Sequence, residues 1–435
     1  MAPAGNGIRE PIKPVPTSPV KRIAFFASLL IAFTISGADA PVAPDYRAID
    51  DPPHQYRTRT PQDRFSRLLD PLKTDPRLDR STEKAFLVSF LNLLGVPVSS
   101  QMLVFSTTSL QLRFISPANP RAIYFNEDIH VGYIPGGRLE VVSLDPELGP
   151  IFYIFDIPRN DAALRFERSE RCMNCHAGED TGFVPGLVIR SVVPGPGGGT
   201  LDTFRAGLSG HGIPLADRFG GWHVTGIDHI TNHWGNLTGR MVGGEIERIS
   251  NRPGQRFQFV KYPAATSDIL AHLLHEHQVG FVNRVVQAGY RARTALFHGK
   301  GQLTTAQSEE MEEQAQIITR YLLFADEATL PAGGIKPDPK YKADFLLNRR
   351  MSPDGKSLKD LDLATRLFKY RCSYMIYNPV FAALPSAIKD RVYLRLRRAL
   401  DGNGAPVEFG YLPAEEKSSI RNILKATLKD LPAGW

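Results

Sequence analysis

Cys172-Met173-Asn174-Cys175-His176 packs more chemistry into fewer residues than any other part of this 435-residue chain. Two thiols with two residues between them, followed at once by an imidazole, have the spacing that fixes a haem covalently. The thiols add to the two vinyl groups on one edge of the porphyrin. Two intervening residues bring both sulfurs within reach in a single turn of backbone. The histidine that follows is held beneath the iron as its proximal ligand. The expected cofactor is therefore one haem c, anchored by Cys172 and Cys175 and ligated by His176. A zinc site and a redox dithiol are the competing chemistries. The chain has three cysteines, so there is no second Cys pair to complete a zinc site. The flanks lack the βαβ pattern of a thioredoxin-like dithiol.

A haem iron has a second axial position. A protein ligand there makes an electron carrier, and an open site binds small molecules or peroxide. His277 falls in the apolar helical stripe of Leu270, Leu273, Leu274, Phe281 and Val285, so its ring is expected to be buried. Either iron or a hydrogen-bond partner must then satisfy it. His233 lies in a Gly- and Trp-rich segment where the backbone can approach a flat ligand. His277 and His233 are the candidates for the distal side, ahead of His229, Met241 and Met375. His272 and His275 fall on the opposite face of the helix from His277, so the three do not converge on a metal. Arg171, Arg190, Arg218 and Trp222 are near enough in sequence to serve the propionates. Cys372 has no partner left and reads as a buried structural thiol.

The N-terminus is consistent with haem attachment outside the cytoplasm. Lys21 and Arg22 precede the apolar run 23–35, and Ser36-Gly37-Ala38-Asp39-Ala40 supplies small residues for a signal peptidase. Residues 1–40 are expected to be a signal peptide cut after Ala40, with cleavage after Ala38 or an uncleaved anchor as alternatives. Bacterial c-type haems are attached on the far side of the cytoplasmic membrane, so the expected compartment is the periplasm. No other apolar run approaches the roughly 18 residues of a membrane span. Residues 1–40 carry four basic and two acidic groups, so cleavage lowers the net charge from +7 to +5. That modest excess does not indicate nucleic acid and would suit an acidic redox partner.

The elements that must position the motif are also legible. Residues 41–100 read as an extended Pro-, Asp- and Arg-rich arm with one short helix, then a helix capped by Ser81-Thr82-Glu83 and stopped by Gly95 and Pro97. Residues 101–160 read as an antiparallel sheet, with strands over 122–126, 129–134, 139–144 and 151–155. A helix is expected over 160–171, leading into a haem-attachment region spanning 161–265. That region is Gly-rich, and its loop at 194–200 lacks the strand–turn–helix setting of a phosphate site. Residues 266–435 read as helical, over 268–298, 305–325, 386–400 and 413–428. The fold class is α+β: a β-rich N-terminal half, a haem-bearing middle and a helical C-terminal half.

Several runs carry a family resemblance: Pro120-Arg121-Ala122-Ile123-Tyr124-Phe125-Asn126, the CxxCH motif, Val184-Pro185-Gly186 with Arg190-Ser191, and Gly220-Gly221-Trp222-His223-Val224-Thr225-Gly226. His233-Trp234-Gly235-Asn236, Glu276-His277-Gln278 and Ser373-Tyr374-Met375-Ile376-Tyr377 belong with them. Over roughly residues 100–400 the chain resembles a family of large, exported, single-haem cytochrome-c-like proteins of environmental bacteria. The resemblance implies an exported haem c protein and no particular reaction. Relatives often carry Met where this chain has Trp234, so a sulfur ligand at that position is ruled out here.

The expected function is periplasmic electron transfer with a redox partner protein or a small-molecule donor or acceptor. A haem-dependent oxidoreductase, peroxidase-like enzyme, or haem-based sensor is the alternative, because a simple carrier does not need so long a chain. One CxxCH excludes a two-haem peroxidase.

Overall fold

The computed structural model describes residues 45–158, 162–203, 209–402 and 404–435. The signal peptide expected over 1–40 lies outside them. The architecture is α+β, as the sequence pattern predicts. Seven strands form one sheet: β1 (Met102–Val104), β2 (Arg121–Phe125), β3 (Ile129–Tyr133), β4 (Leu139–Asp145), β5 (Gly149–Phe155), β6 (Glu167–Arg168) and, after two strands that lie outside it, β9 (Trp222–His223). Their order is β6-β5-β4-β3-β2-β1-β9, with every neighbour antiparallel. Two small hairpins stand apart from it, β7 (Val192–Pro194) with β8 (Thr200–Thr203), and β10 (Leu237–Val242) with β11 (Glu245–Ser250).

The sheet core is an uninterrupted meander because short turns join strands β2 to β5, and each strand is rich in β-branched and aromatic residues. Residues opposite one another in register share a face. On one face Phe65 of the arm meets Tyr153 at 5.0 Å and Phe90 at 6.0 Å, and Phe90 meets Phe155 at 5.4 Å. Phe90 belongs to α2 (Glu83–Leu93), which follows the short α1 (Leu69–Lys73). Thr82 caps α2 by accepting from the Ala85 amide at 3.0 Å. The arm is bound into the core rather than trailing from it: Tyr56 donates to Pro150 O at 2.7 Å, and His54 stacks on Tyr290 at 4.0 Å.

The expected helix over 160–171 does not form in the described part, 162–171. Glu167 and Arg168 pair with Ile154 and Tyr153 as the edge strand β6. Arg168 donates to Arg59 O and lies over the Tyr56 ring. Sheet pairing takes the backbone groups a helix would have used.

The C-terminal half holds α4 (Ile269–His298), α5 (Thr305–Leu322), α6 (Pro339–Leu346), α7 (Pro379–Ala382), α8 (Ser386–Ala399) and α9 (Ala414–Thr427); the tiny α3 is the motif helix Met173–His176. Asp268 caps α4, accepting from Leu270 N at 3.0 Å. Helix α4 is buried on both sides for most of its length. One side meets the sheet, where His272 stands edge-on to Trp222 at 5.3 Å. The other meets the C-terminal helices, where His277 stacks on Tyr321 at 5.3 Å. Among the described residues, no helix is long and apolar enough to cross a membrane.

Candidate functional site

The motif folds as a 3-10 turn, Glu170–Cys172, running into α3. Cys172, Cys175 and His176 are spaced i, i+3, i+4 and so share one face of that turn. Both thiols are free, Cys172 half-buried and Cys175 exposed. Burial pushes the Cys172 thiol up, and the Ser169 side chain opposes it.

His176 is fixed by two hydrogen bonds with a single residue. Its Nδ1 lies 2.9 Å from Gly186 O, and the Gly186 amide donates to His176 O at 2.8 Å. A carbonyl can only accept, so Nδ1 carries the proton and Nε2 keeps a bare lone pair. The ring packs on Phe152 of β5 at 4.4 Å. Desolvation pulls its pKa down to about 4, which keeps it a neutral donor ligand. A backbone carbonyl bonded to Nδ1 in this way fixes the tautomer and the orientation of a histidine that binds a metal through Nε2.

Glycine is required at 186. A Cβ there would stand 2.7 Å from the Thr181 side chain and 2.9 Å from Asn283 Oδ1. Asn283 in turn clamps Leu187 through bonds of 2.8 Å to both its amide and its carbonyl. Gly186→Ala should therefore cost about 1–3 kcal/mol by overpacking. Urea unfolding of the variant measures that; an unchanged midpoint would mean the loop is slack.

The face of the sheet that carries Phe152 is buried at its central strand, β3, where His130 is 5 % exposed. Phe125, His130, Val142 and Phe152 form one cross-strand row, and Met102, Ile123, Gly132, Glu140 and Ile154 form the next. The ends of these rows are covered: Phe152 is 4 % exposed and Met102 fully buried. Ile123 and Val142, in the middle, are only half-buried. The Arg121–Glu140 ion pair lies on the same face, with its guanidinium in the space above Gly132. Arg121 and Glu140 contribute to the electrostatic surroundings of both Cys172 and His176.

Of the residues picked out in the sequence, Cys172, Cys175 and His176 come together as expected. The distal candidates do not join them. His277 is a satisfied core histidine: Nε2 is 2.7 Å from Ser373 Oγ, and Nδ1 is 2.9 Å from His211 Nδ1. It lies on the C-terminal side of α4, away from the sheet, so the expectation that it faces the iron is corrected. His233 is corrected on position rather than on satisfaction: its Nε2 is 2.9 Å from Ile230 O in its own turn and its ring stands edge-on to Phe219, while its Nδ1 is buried without a hydrogen-bond partner. His229 bonds Gly334 O at 2.8 Å. Met375 sits in the core, and Met241 is 54 % exposed on the β10–β11 hairpin. Arg218 is committed to Glu276 in a buried ion pair of 3.2 Å, and Trp222 Nε1 donates to Arg190 O at 2.9 Å. Arg190 pairs with Asp180 at 2.7 Å, close to the motif. Cys372 is fully buried, and burial raises its pKa.

The sequence reading missed that His275, on the face of α4 opposite His277, is buried too. A second stripe on α4, His275, Val279, Val282 and Val286, was the available signal, because its spacing also marks a buried face. A cleft of about 310 Å³ lies near the motif, but Met173, Asn174 and Phe183 line it, on the back of α3 away from the Cys and His side chains.

The residues fit a covalently held haem. Two free thiols and an imidazole with a bare Nε2 share one face, and the imidazole packs on the apolar ring of Phe152. No family model, curated protein or solved structure matches this chain.

Proposed function

We propose that this protein is an exported c-type cytochrome that holds one covalent haem and works in electron transfer. The hydrogen bond from His176 Nδ1 to Gly186 O carries this reading, because it leaves Nε2 as the only free nitrogen, beside two free thiols. Cys172 and Cys175 would anchor the porphyrin edge, and His176 would be the proximal ligand. When bound, the haem supplies one-electron redox chemistry at its iron.

The chain's own residues then do three things. Gly186 holds the His176 ring in one tautomer and one orientation, which keeps the ligand basic. Phe152 packs on the His176 ring and shields that side of it from water. Cys175 and Asn174 are exposed, so one edge of the site lies at the surface, where a redox partner protein or a small donor could reach it.

Protein matured in an exporting host that attaches haem should contain one haem per chain, retained through acid–organic extraction and visible as a mass increase on the intact protein. Extractable haem, or none, would defeat the proposal.

A further inference from the structure

We propose that Asn283, on helix α4, is a positioning residue for the iron's proximal ligand: through a single peptide group it fixes and strengthens the hydrogen bond that orients His176. This rests on the haem reading above. Asn283 lies 96 residues beyond Leu187, the residue it touches.

The carbonyl that receives His176 Nδ1–H and the amide of Leu187 belong to one planar unit, the peptide bond between Gly186 and Leu187. Asn283 Oδ1 accepts from that amide at 2.8 Å, and Asn283 Nδ2 donates to Leu187 O at 2.8 Å. A primary amide carries the same donor and acceptor as a backbone peptide, so Asn283 pairs with Leu187 as a neighbouring strand would. The loop has no such strand of its own, since residues 182–191 belong to no helix or strand. Two bonds to Leu187 set the plane of the 186–187 peptide, and that plane aims Gly186 O. The same peptide links two hydrogen bonds in series, from His176 to Gly186 O and from the Leu187 amide to Asn283. Bonds in series polarise one another, by roughly 10–30% each. An acceptor on the Leu187 amide therefore makes Gly186 O a stronger acceptor, and His176 a more basic ligand.

The same face of α4 holds the loop a second time. Gln287, one turn on from Asn283, donates to Thr181 O at 3.0 Å. Thr181 is fully buried, with its hydroxyl 3.3 Å from His176 O. Glycines stand where both amides arrive: a Cβ at Gly182 would collide with the Gln287 amide, as one at Gly186 would with Asn283. Between the two amides, Val286 packs against Gly149 at the start of β5, the strand whose Phe152 carries the His176 ring. Asn283 itself is only 6 % exposed. A buried amide must be bonded, and both ends of this one are spent on Leu187.

The test compares mature, haem-loaded Asn283→Leu with the parent protein. Leucine fills the same space and removes both bonds. The reduction potential should rise, because a less basic proximal histidine stabilises ferric iron less. Thr294→Ala is the control. Thr294 is buried about three turns along α4 from Asn283 and bonds His54 at 2.8 Å. Its loss should lower the unfolding midpoint and leave the potential where it was. A second arm needs no haem. In the full chain made without haem, at about pH 8, an unperturbed histidine is neutral. Ring-nitrogen NMR should then show His176 as the Nδ1–H tautomer alone, and Asn283→Leu should show both tautomers. If the leucine variant does not fold, Asn283→Ser replaces it with the same expectations. The positioning role is overturned by a parent His176 ring protonated at Nε2, by a variant that keeps the single tautomer, or by a potential that stays put. A potential that moves as far in Thr294→Ala overturns it too; in all these cases covalent haem stands. A parent without covalent haem overturns the function, and the tautomer arm still decides whether Asn283 orients His176.

Discussion

Cys172→Ala/Cys175→Ala should abolish covalent haem altogether while the protein stays folded. The fold gains little from either thiol. Cys175 is exposed, and Cys172 is only half-buried at the edge of the core. Neither forms a disulfide, so no cross-link is lost. Cys172→Ala removes one partly buried sulfur, a cost of about 1 kcal/mol. Haem retention, by contrast, should fall from one per chain to none after acid–organic extraction. Each single variant keeps one potential thioether and should attach haem in reduced yield. The comparison needs two measurements on the same preparations, haem content and a thermal unfolding curve. Full retention of unextractable haem in the double variant would show that these thiols are not the anchors.

Acidification from pH 7 to 4.5 should unfold the protein well before its carboxylates are mostly neutral. Six histidines besides His275 are buried: His54, His130, His211, His223, His272 and His277. Desolvation is the first cause in each case. It lowers His54 and His130 to about 4, and His223, His272 and His277 to about 3, with His211 also well below its ordinary range. An unfolded histidine takes up its proton near pH 6.5. Between those values the unfolded chain binds protons that the folded chain refuses, so stability falls as pH falls. Each fully affected histidine costs about 1.4 kcal/mol per pH unit. Asp268 and Glu327, raised to about 7 by burial, act in the opposite sense, as does Asp128. Six groups against three leave a net loss comparable to a domain's whole stability, about 5–15 kcal/mol. The urea midpoint followed by circular dichroism should drop steadily from pH 7 to 5. A midpoint that holds or rises over that range would show that these rings are not buried neutral.

Local signals were legible in the sequence, and juxtapositions were not. Thr82-Glu83 marks the start of α2, and the alternation in 121–155 marks four strands, because each is decided by residues a few positions apart. The proximity of Cys172, Cys175 and His176 is local in the same way, since one short turn holds all three. The pairing of Trp222–His223 with β1 joins segments more than a hundred residues apart, and no local pattern encodes it. Helix α4 shows the limit most clearly. A wheel picks the strongest apolar stripe, which holds His277, and treats the opposite side as outward. That side is covered by the sheet, so His275 is buried as well, and its Nδ1 lacks the hydrogen-bond partner that the His277 ring has. The edge strand β6 was misread for the same reason, since its partner β5 decides its conformation. Helix α6 begins at Pro339 after an Asp338 cap, a start signal that was present but short.

The burial of Cys372 governs how this chain can be oxidised. Disulfide exchange needs a thiolate that an oxidant can reach. Cys372 is fully buried and held protonated, so it supplies neither. In an oxidising surrounding the folded chain therefore offers only Cys172 and Cys175, and each has only the other as an intramolecular partner. Shuffled pairings are closed off by packing. What remains is one small ring within the motif, which a reductant can open again.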